Sequence, residues 1–258
     1  MWYCFPMKKS TSWEHVGDWY DDLLRDEDTY QNKVILPNVV RLAALKNGMK
    51  VLDLACGQGF FSRAFADAGA AVVGTDISAK LIAIAKKNVS NAKFFVSPAH
   101  RLEMIQEHSL DAATIILAAQ NIENISEVFK EIQKKLKPGG KLLLVLNHPA
   151  FRNPGASSWG FDEQAKKQYR RIDAYMTESK REIDMHPGSQ KKITTVSFHR
   201  PLQVYFKTLA NAGFQISRLE EWVSHRESEK GPRKEEEDRT RREFPLFLCI
   251  EAKSITER

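Results

Sequence analysis

The chain has 258 residues, of which 42% are hydrophobic and 28% charged, and its formal net charge is +6. These values are ordinary for one large globular domain, and no apolar run approaches the roughly 20 residues that a membrane helix needs. The N-terminal segment lacks the features of a signal peptide, and three cysteines give neither a disulfide framework nor a metal-binding spacing. We therefore expect a cytoplasmic protein without a membrane span, a structural disulfide or a metal site.

Hydrophobic residues recur at helical spacing within residues 1–47, which predicts an N-terminal helical cap. Its second helix is expected from about Val34 to Leu45. Pro37 would lie in the first turn of that helix, where a missing N–H costs no hydrogen bond.

The run VLDLACGQG, residues 51–59, predicts a buried strand followed by a glycine turn. An amphipathic helix should begin near Phe60 and end at Gly69, and a second strand should then end at Asp76. In a parallel α/β sheet, ligands bind at this edge, and the glycines of the turn let the backbone approach a ligand closely. Because Asp76 can accept hydrogen bonds from a ribose diol, the sequence predicts a nucleoside cofactor.

The charges in this motif distinguish between cofactors. A dinucleotide site has a third glycine where this chain has Ser62, and Asp53 lies on the strand four residues before Gly57. A carboxylate repels a pyrophosphate, whereas it suits the ammonium and sulfonium groups of S-adenosylmethionine. The motif therefore favours S-adenosylmethionine over NAD or FAD.

Helices and strands are predicted to alternate through the next part of the chain. Ser78 and Ser126 are expected to cap two helices, and Pro138-Gly139-Gly140 to end the second of them. The third, fourth and fifth strands are predicted at residues 93–96, 111–117 and 141–146.

A long segment follows the predicted fifth strand. Residues 162–178 read as a helix, and residues 181–185 and 191–196 as a β-hairpin around the turn-prone residues 186–189. We predict that residues 151–198 form a lid that shapes the acceptor pocket, the alternative being a surface excursion without substrate contact. The aromatic residues expected on its wall are Trp159, Tyr169 and Tyr175.

Three blocks, at residues 51–78, 110–146 and 209–221, resemble the class I S-adenosylmethionine-dependent methyltransferases of the small-molecule type. The resemblance implies an α/β, Rossmann-like fold: a seven-stranded mixed sheet with a reversed last strand, helices on both faces and an inserted lid. On this basis the methyltransferase core comprises residues 48–150 and 199–258.

The resemblance also implies a set of donor contacts. Asp53 would lie on the amino-acid side of the donor, Asp76 on its ribose, and Ile77 beside its adenine. Relatives often place an acid after the third strand, where this chain has Ser97-Pro98-Ala99-His100, so the backbone of Ala99 would take that role. The expected cofactor-binding residues are Asp53, Ala55, Cys56, Gly57, Gly59, Asp76, Ile77, Ala99, Ala118 and Tyr20, although core packing is an equal alternative for Tyr20.

Methyl transfer from a sulfonium is an in-line displacement, so alignment can supply most of the rate enhancement. A general base is needed only where the acceptor must lose a proton early. The candidates are His148, His199 and Gln120; a structural role competes for both histidines, and anchoring of a loop competes for Gln120.

Three functions are compatible with the sequence. The first is methylation of a small-molecule or lipid-like acceptor, favoured because the chain has a predicted lid and no separate macromolecule-binding module. The second is methylation of RNA or protein; nucleic acid is not expected, because the basic residues are interleaved with acids, as in residues 226–243. The third is non-catalytic binding of S-adenosylmethionine. The acceptor atom and the oligomeric state stay open.

Overall fold

The computed structural model describes residue 13, residues 26–184 and residues 193–255. The strands are β1 (Lys50–Leu54), β2 (Ala71–Asp76), β3 (Lys93–Val96), β4 (Leu110–Ile116), β5 (Leu136–Asn147), β6 (Ser157–Asp162), β7 (Lys167–Ile172), β8 (Ser179–Asp184), β9 (Thr194–His199), β10 (Phe214–Trp222) and β11 (Phe247–Ser254). The α-helices are α1 (Leu36–Ala43), α2 (Phe60–Asp67), α3 (Ala79–Asn88), α4 (Ile125–Lys135), α5 (Leu202–Asn211) and α6 (Lys234–Glu243).

Seven strands form one mixed sheet in the order β10-β11-β5-β4-β1-β2-β3. Strand β11 runs antiparallel to both β10 and β5, whereas β5, β4, β1, β2 and β3 are mutually parallel. The predicted seven-stranded sheet with a reversed last strand is therefore confirmed. Because the parallel strands all end at one edge, the turns that follow β1, β2 and β4 meet there.

The two faces of the sheet are covered by different helices. Alternate residues of a strand point to opposite faces, so Leu142 and Leu144 join one core with α4 and α5. Leu143 and Val145 join the other core, which contains side chains of α1, α2 and α3. The helices thus lie on both faces, as the sequence predicted.

The β1–α2–β2 unit was predicted correctly. Gly59 precedes α2 with a φ of 86°, a conformation that favours glycine. A Cβ atom at this position would also lie 3.3 Å from side-chain atoms of Ala85 on α3 and of Val89, the residue that follows α3. Gly59 therefore sets both the start of α2 and the close packing of the turn against α3.

One predicted helix cap is confirmed and another is wrong. The Ser78 hydroxyl accepts a hydrogen bond from the Leu81 amide at 3.3 Å and caps α3. At α4 the cap is Asn124, whose side-chain oxygen accepts from the Glu127 amide at 3.5 Å. Ser126 lies inside the helix, because Asn124, two residues earlier, supplies the capping oxygen.

The boundary between α4 and β5 also differs from the prediction. The helix ends at Lys135, and β5 begins at Leu136 in extended conformation. Pro138, Gly139 and Gly140 lie within β5, where the pairing with β4 shifts register between Leu110 and Ala112. Proline and glycine here accompany an irregular strand start instead of ending the helix.

The predicted helix at residues 162–178 is wrong. Strands β6 and β7 form an antiparallel hairpin in which Asp162 pairs with Lys167. The Asp162 carboxylate accepts hydrogen bonds from the amides of Gln164 and Ala165, each at 2.9 Å, and this turn reverses the chain. The side chain of Gln168 bonds Thr240 of α6 at 2.8 Å. This contact with a residue 72 positions away stabilises the hairpin, although the local spacing of hydrophobic residues suits a helix.

The second half of the insertion is the predicted hairpin with shifted limits. Strand β8 pairs antiparallel with β9, from Ser179 opposite His199 to Asp184 opposite Thr194. The predicted turn at residues 186–189 lies outside the described residues. The described part of the insertion therefore consists of two hairpins without a helix.

The second predicted N-terminal helix is present as α1, preceded by a π-helical turn at Gln31–Ile35, and Pro37 lies in the first turn of α1. The first predicted helix, with Tyr20, lies outside the described residues. In the part of the chain that the structure describes, no helix is long and apolar enough to cross a membrane.

Candidate functional site

A cavity of about 760 Å³ lies at the edge of the sheet where β1, β2 and β4 end. The turns after these strands, the segment after β3, the start of α4 and strand β9 enclose it. It is lined by Trp13, Asp53, Ala55, Cys56, Gly57, Gln58, Phe60, Phe61, Asp76, Ile77, Leu81, Ser97, Pro98, Ala99, His100, Ile116, Leu117, Ala118, Asn121, Ile122, Glu123, Asn124, Glu127, Thr195 and Val196.

The β1–α2 turn forms one wall of the cavity. Ala55 and Gly57 have φ values of 57° and 58°, and the Cys56 amide donates to the carbonyl of Thr75 on β2 at 3.0 Å. Three residues predicted to contact the donor, Ala55, Cys56 and Gly57, line the cavity. Gly59 is not among the residues that line the cavity and packs against α3, and the donor contact predicted for it stays a prediction.

Asp76 ends β2 at the predicted position and is 8% exposed. Its two carboxylate oxygens accept from the amides of Ser78 at 2.8 Å and Gly57 at 3.0 Å. Burial raises the pKa of this carboxyl despite these hydrogen bonds. Each oxygen retains a lone pair for a ligand, and the half-exposed Ile77 lies beside it in the cavity wall.

Asp53 reaches the same cavity from β1 and is 2% exposed. Its carboxylate accepts from the hydroxyls of Ser62 at 2.6 Å and Thr114 at 3.1 Å. Burial raises the pKa of Asp53 to about 6, the hydroxyls oppose this rise, and the charge of Asp76 adds to it. Ser62, which marks the missing third glycine in the sequence, is thus the hydrogen-bond donor that orients Asp53.

The two buried acids lack a basic partner within the described part of the chain. No lysine, arginine or histidine nitrogen described by the structure forms an ion pair with Asp53 or Asp76. Two uncompensated carboxylates at one wall favour a cationic ligand, because its charge offsets the cost of burying them.

The loop after β4 forms the opposite wall. Leu117 leaves the strand with a φ of 53°, and Ala118, which was predicted to contact the donor, lines the cavity. Gln120 does not line it; its amide nitrogen donates to the Leu117 carbonyl at 2.6 Å, so it anchors the loop. Asn121 lines the cavity and donates to the Val196 carbonyl of β9 at 2.8 Å.

Thr195 and Val196 of β9 complete this wall. These two residues belong to the predicted lid segment, residues 151–198, and the lid itself stays a prediction. Trp159 packs edge-on against Phe244, Tyr169 is 49% exposed, and neither lines the cavity. The Tyr175 hydroxyl accepts from the Leu202 amide at 2.9 Å, so this ring also supports the fold.

The two candidate histidines lie outside the cavity. His148 has Nε2 at 2.8 Å from a carboxylate oxygen of Glu221, and its Nδ1 accepts from the Ala150 amide at 3.2 Å. Burial lowers the pKa of His148. His199 has Nε2 at 2.8 Å from the Tyr175 carbonyl. These contacts match the structural alternative.

Some residues that line the cavity were not predicted as site residues from the sequence. His100 lies in the segment after β3, where only the neighbouring Ala99 was singled out, and both line the cavity. Trp13 is part of the predicted N-terminal cap and also lines it. Within the described residues, no group of three His, Cys, Asp or Glu side chains is placed to hold a metal ion.

Comparisons with known proteins agree with this geometry. A family model described as a methyltransferase domain matches residues 52–144, which contain Asp53, Asp76 and the loop after β4. The crystal structure of an S-adenosylmethionine dependent methyltransferase from Mesorhizobium loti matches with a TM-score of 0.68 at 25% identity, covering 88% of this chain and 99% of that one.

Among curated relatives, an uncharacterized protein of Haemophilus influenzae is 28% identical over 208 residues, covering 77% of this chain and 80% of the relative. A demethylmenaquinone methyltransferase of Paenarthrobacter aurescens is 32% identical over 148 residues, and the match spans 56% of this chain and 57% of that enzyme. The family model, the matching fold and the two acids, Asp53 and Asp76, in the cavity at the sheet edge all indicate a methyltransferase. Residues 52–144 therefore form a methyltransferase domain, and the chain, which has the class I fold, is an S-adenosylmethionine-dependent methyltransferase.

Proposed function

We propose that this enzyme methylates a small, largely apolar, ring-bearing acceptor within the cavity that also receives the methyl donor. The observation that carries the proposal is the continuity of one cavity, from Asp76 on the donor side to Asn121 and Val196 on the other. Its volume of about 760 Å³ falls in the range of roughly 300–1,000 Å³ that is typical of small-molecule sites.

The lining of the cavity supports a ring-bearing acceptor. Trp13, Phe60 and Phe61 supply aromatic surface, and Ile122 and Val196 supply aliphatic surface. The relatives named demethylmenaquinone methyltransferase supply a quinone as the chemical precedent. Because the match spans little more than half of those enzymes, the acceptor is our inference from the cavity and the precedent together.

Charge argues against a polyanionic acceptor. The described lining includes four acids, Asp53, Asp76, Glu123 and Glu127, and contains no lysine or arginine. A phosphate backbone would be repelled by this wall although the whole chain carries a net charge of +6. The experiment must separate our proposal from two alternatives, methylation of RNA or protein and binding of the donor without catalysis.

S-adenosylmethionine, when bound, supplies an electrophilic methyl group on a sulfonium. Asp53, Gly57 and Asp76 are the residues that would hold it, the two carboxylates by charge and hydrogen bonding. The wall of Asn121 and Val196 would align the acceptor atom for in-line attack and exclude water. In that alignment the donor would supply its methyl carbon to the acceptor atom with S-adenosylhomocysteine as the leaving group, and an acceptor that carries a proton would release it to solvent.

The experiment is methyl transfer from labelled S-adenosylmethionine to a 1,4-naphthoquinol unsubstituted at carbon 2, with total RNA and a protein lysate as parallel acceptors. We expect label in the solvent-extracted naphthoquinol and a large loss with Asp76→Ala. Label confined to RNA or protein, or donor binding without turnover of any acceptor, would contradict the proposal.

A further inference from the structure

The buried guanidinium of Arg200 lies directly beneath the acceptor-side wall. Arg200 follows β9 and is 6% exposed. Its Nη2 donates to the carbonyls of Ile122 at 2.9 Å and Glu123 at 2.5 Å, and its Nη1 lies 3.5 Å from the carbonyl of Ala119. One side chain therefore holds three carbonyls of a single loop.

The partners of Arg200 are unusual for a buried charge. In the described ranges, no carboxylate forms an ion pair with this guanidinium, and the Phe198 ring lies 5.2 Å from its central carbon. A buried charge is costly unless it is hydrogen-bonded. The three carbonyls supply most of these hydrogen bonds, and the Tyr205 hydroxyl is a further partner outside the loop. Arg200 therefore stabilises this conformation of the loop.

The same loop lines the cavity through the side chains of Asn121, Ile122 and Glu123. In the opposite direction, the side-chain amide of Asn121 in the loop donates to the Val196 carbonyl of β9 at 2.8 Å. The loop thus accepts hydrogen bonds from Arg200, at the end of β9, and donates one to β9. Arg200 itself does not line the cavity.

We propose that Arg200 is a positioning residue for methyl transfer: it fixes the loop after β4 against β9 and so sets the wall that aligns the acceptor. This inference deepens the proposed function and rests on it for the identity of the acceptor. A guanidinium suits the role because its planar, forked donors reach several carbonyls at once, which a lysine ammonium on a flexible stem cannot reproduce.

The test compares Arg200→Lys with Arg170→Lys as a matched control. Arg170 lies in the insertion and, like Arg200, donates to a backbone carbonyl, that of Phe151 at 2.8 Å, but it does not line the cavity. Hydrogen exchange needs no acceptor: we expect Arg200→Lys to speed exchange at the amides of Asn121 and Ile122 at least ten-fold. Strand β1 and the Arg170→Lys protein should exchange as the wild type does.

Kinetics supply the second readout, with the naphthoquinol as acceptor. Arg200→Lys should raise the acceptor KM at least ten-fold, while the Kd for S-adenosylhomocysteine stays within about three-fold of wild type. Unchanged exchange at Asn121 and Ile122, or an equal loss of donor and acceptor binding, would overturn the inference. If the lysine variant does not fold, Arg200→Gln, which removes the charge and keeps a donor group, takes its place under the same criteria.

The two proposals can fail separately. Wild-type protein that does not methylate the naphthoquinol contradicts the proposed acceptor, while the exchange experiment still decides the role of Arg200.

Discussion

At the scale of single residues, the donor site is built from acids whose charge the described chain leaves uncompensated. Asp53 could be identified from sequence because it lies at a fixed distance before a glycine turn. Its hydrogen-bond partner Thr114 lies 61 positions away on β4, so no local pattern could reveal the contact. The sequence shows only that Ser62 stands where a dinucleotide site has its third glycine. It does not reveal that the Ser62 hydroxyl donates to Asp53 at 2.6 Å.

The Asp53→Asn variant should stabilise the ligand-free protein and weaken donor binding. The pKa of Asp53 rises from an ordinary 3.8 to about 6 on folding. Between these pH values the folded protein retains a proton that the unfolded chain has lost, so stability falls as pH rises through this window. Above it, the cost is about 3 kcal/mol.

Thermal unfolding without ligand checks this expectation. The gain in melting temperature of Asp53→Asn over wild type should be larger at pH 8 than at pH 5, with Asp67→Asn on the exposed side of α2 as the control. The same change in melting temperature at both pH values, whether a gain or a loss, would show that the charge of Asp53 does not destabilise the native state.

Asp76→Ala should weaken the binding of S-adenosylhomocysteine much more than Asp67→Ala does. Asp76 lies in the cavity wall, whereas Asp67 is exposed on α2 outside it. Losing a charged hydrogen-bond acceptor typically costs about 1.5–3 kcal/mol, or roughly ten- to a hundred-fold in Kd. Calorimetry measures both values, and similar Kd values for the two variants would mean that Asp76 does not contact the donor.

At the scale of elements, local patterns predicted the core and failed in the insertion. The β1–α2–β2 unit is specified by its own strand, turn and helix signals. In contrast, Tyr169, Ile172 and Tyr175 recur at a spacing that suits a helix, but the hairpin is stabilised from outside. The Gln168 amide donates to Glu236 at 2.9 Å, a partner 68 positions later. The spacing of hydrophobic residues within a segment cannot predict a contact with a residue so far along the chain.

The hairpin β6–β7 should be dispensable for catalysis, whereas β9 should not. The Asp173 amide donates to the Ala156 carbonyl at 2.8 Å, so the ends of the hairpin already lie together. Replacing residues 157–172 with Gly-Gly should therefore leave the core folded, the donor Kd within about two-fold and methyl transfer largely retained.

The hairpin deletion is compared with Val196→Ala. Because Val196 lines the cavity, its truncation should raise the acceptor KM. Circular dichroism, calorimetry and the methyl-transfer assay measure these effects. A hairpin deletion that binds the donor normally but loses methyl transfer would show that β6–β7 contributes to the acceptor wall after all.

At the scale of the whole molecule, the charge balance and the site charge have opposite signs. The chain carries +6 overall, but the described lining of the cavity is acidic. The net charge alone would favour anionic partners, whereas the acids of the lining support our proposal of an acceptor without a phosphate backbone. The loop after β4 and β9 meet through a contact between residues 75 positions apart, so the acceptor wall is likewise a property of the complete fold.

The central claim is that one cavity holds the donor at β1 and β2 and the acceptor at β9. A crystal structure with S-adenosylhomocysteine bound tests it most directly. We predict the ribose at Asp76, the amino-acid end beside Asp53 and Gly57, and the sulfur facing the wall of Asn121 and Val196. A ligand whose sulfur faces away from that wall, or that binds outside this cavity, would contradict the account.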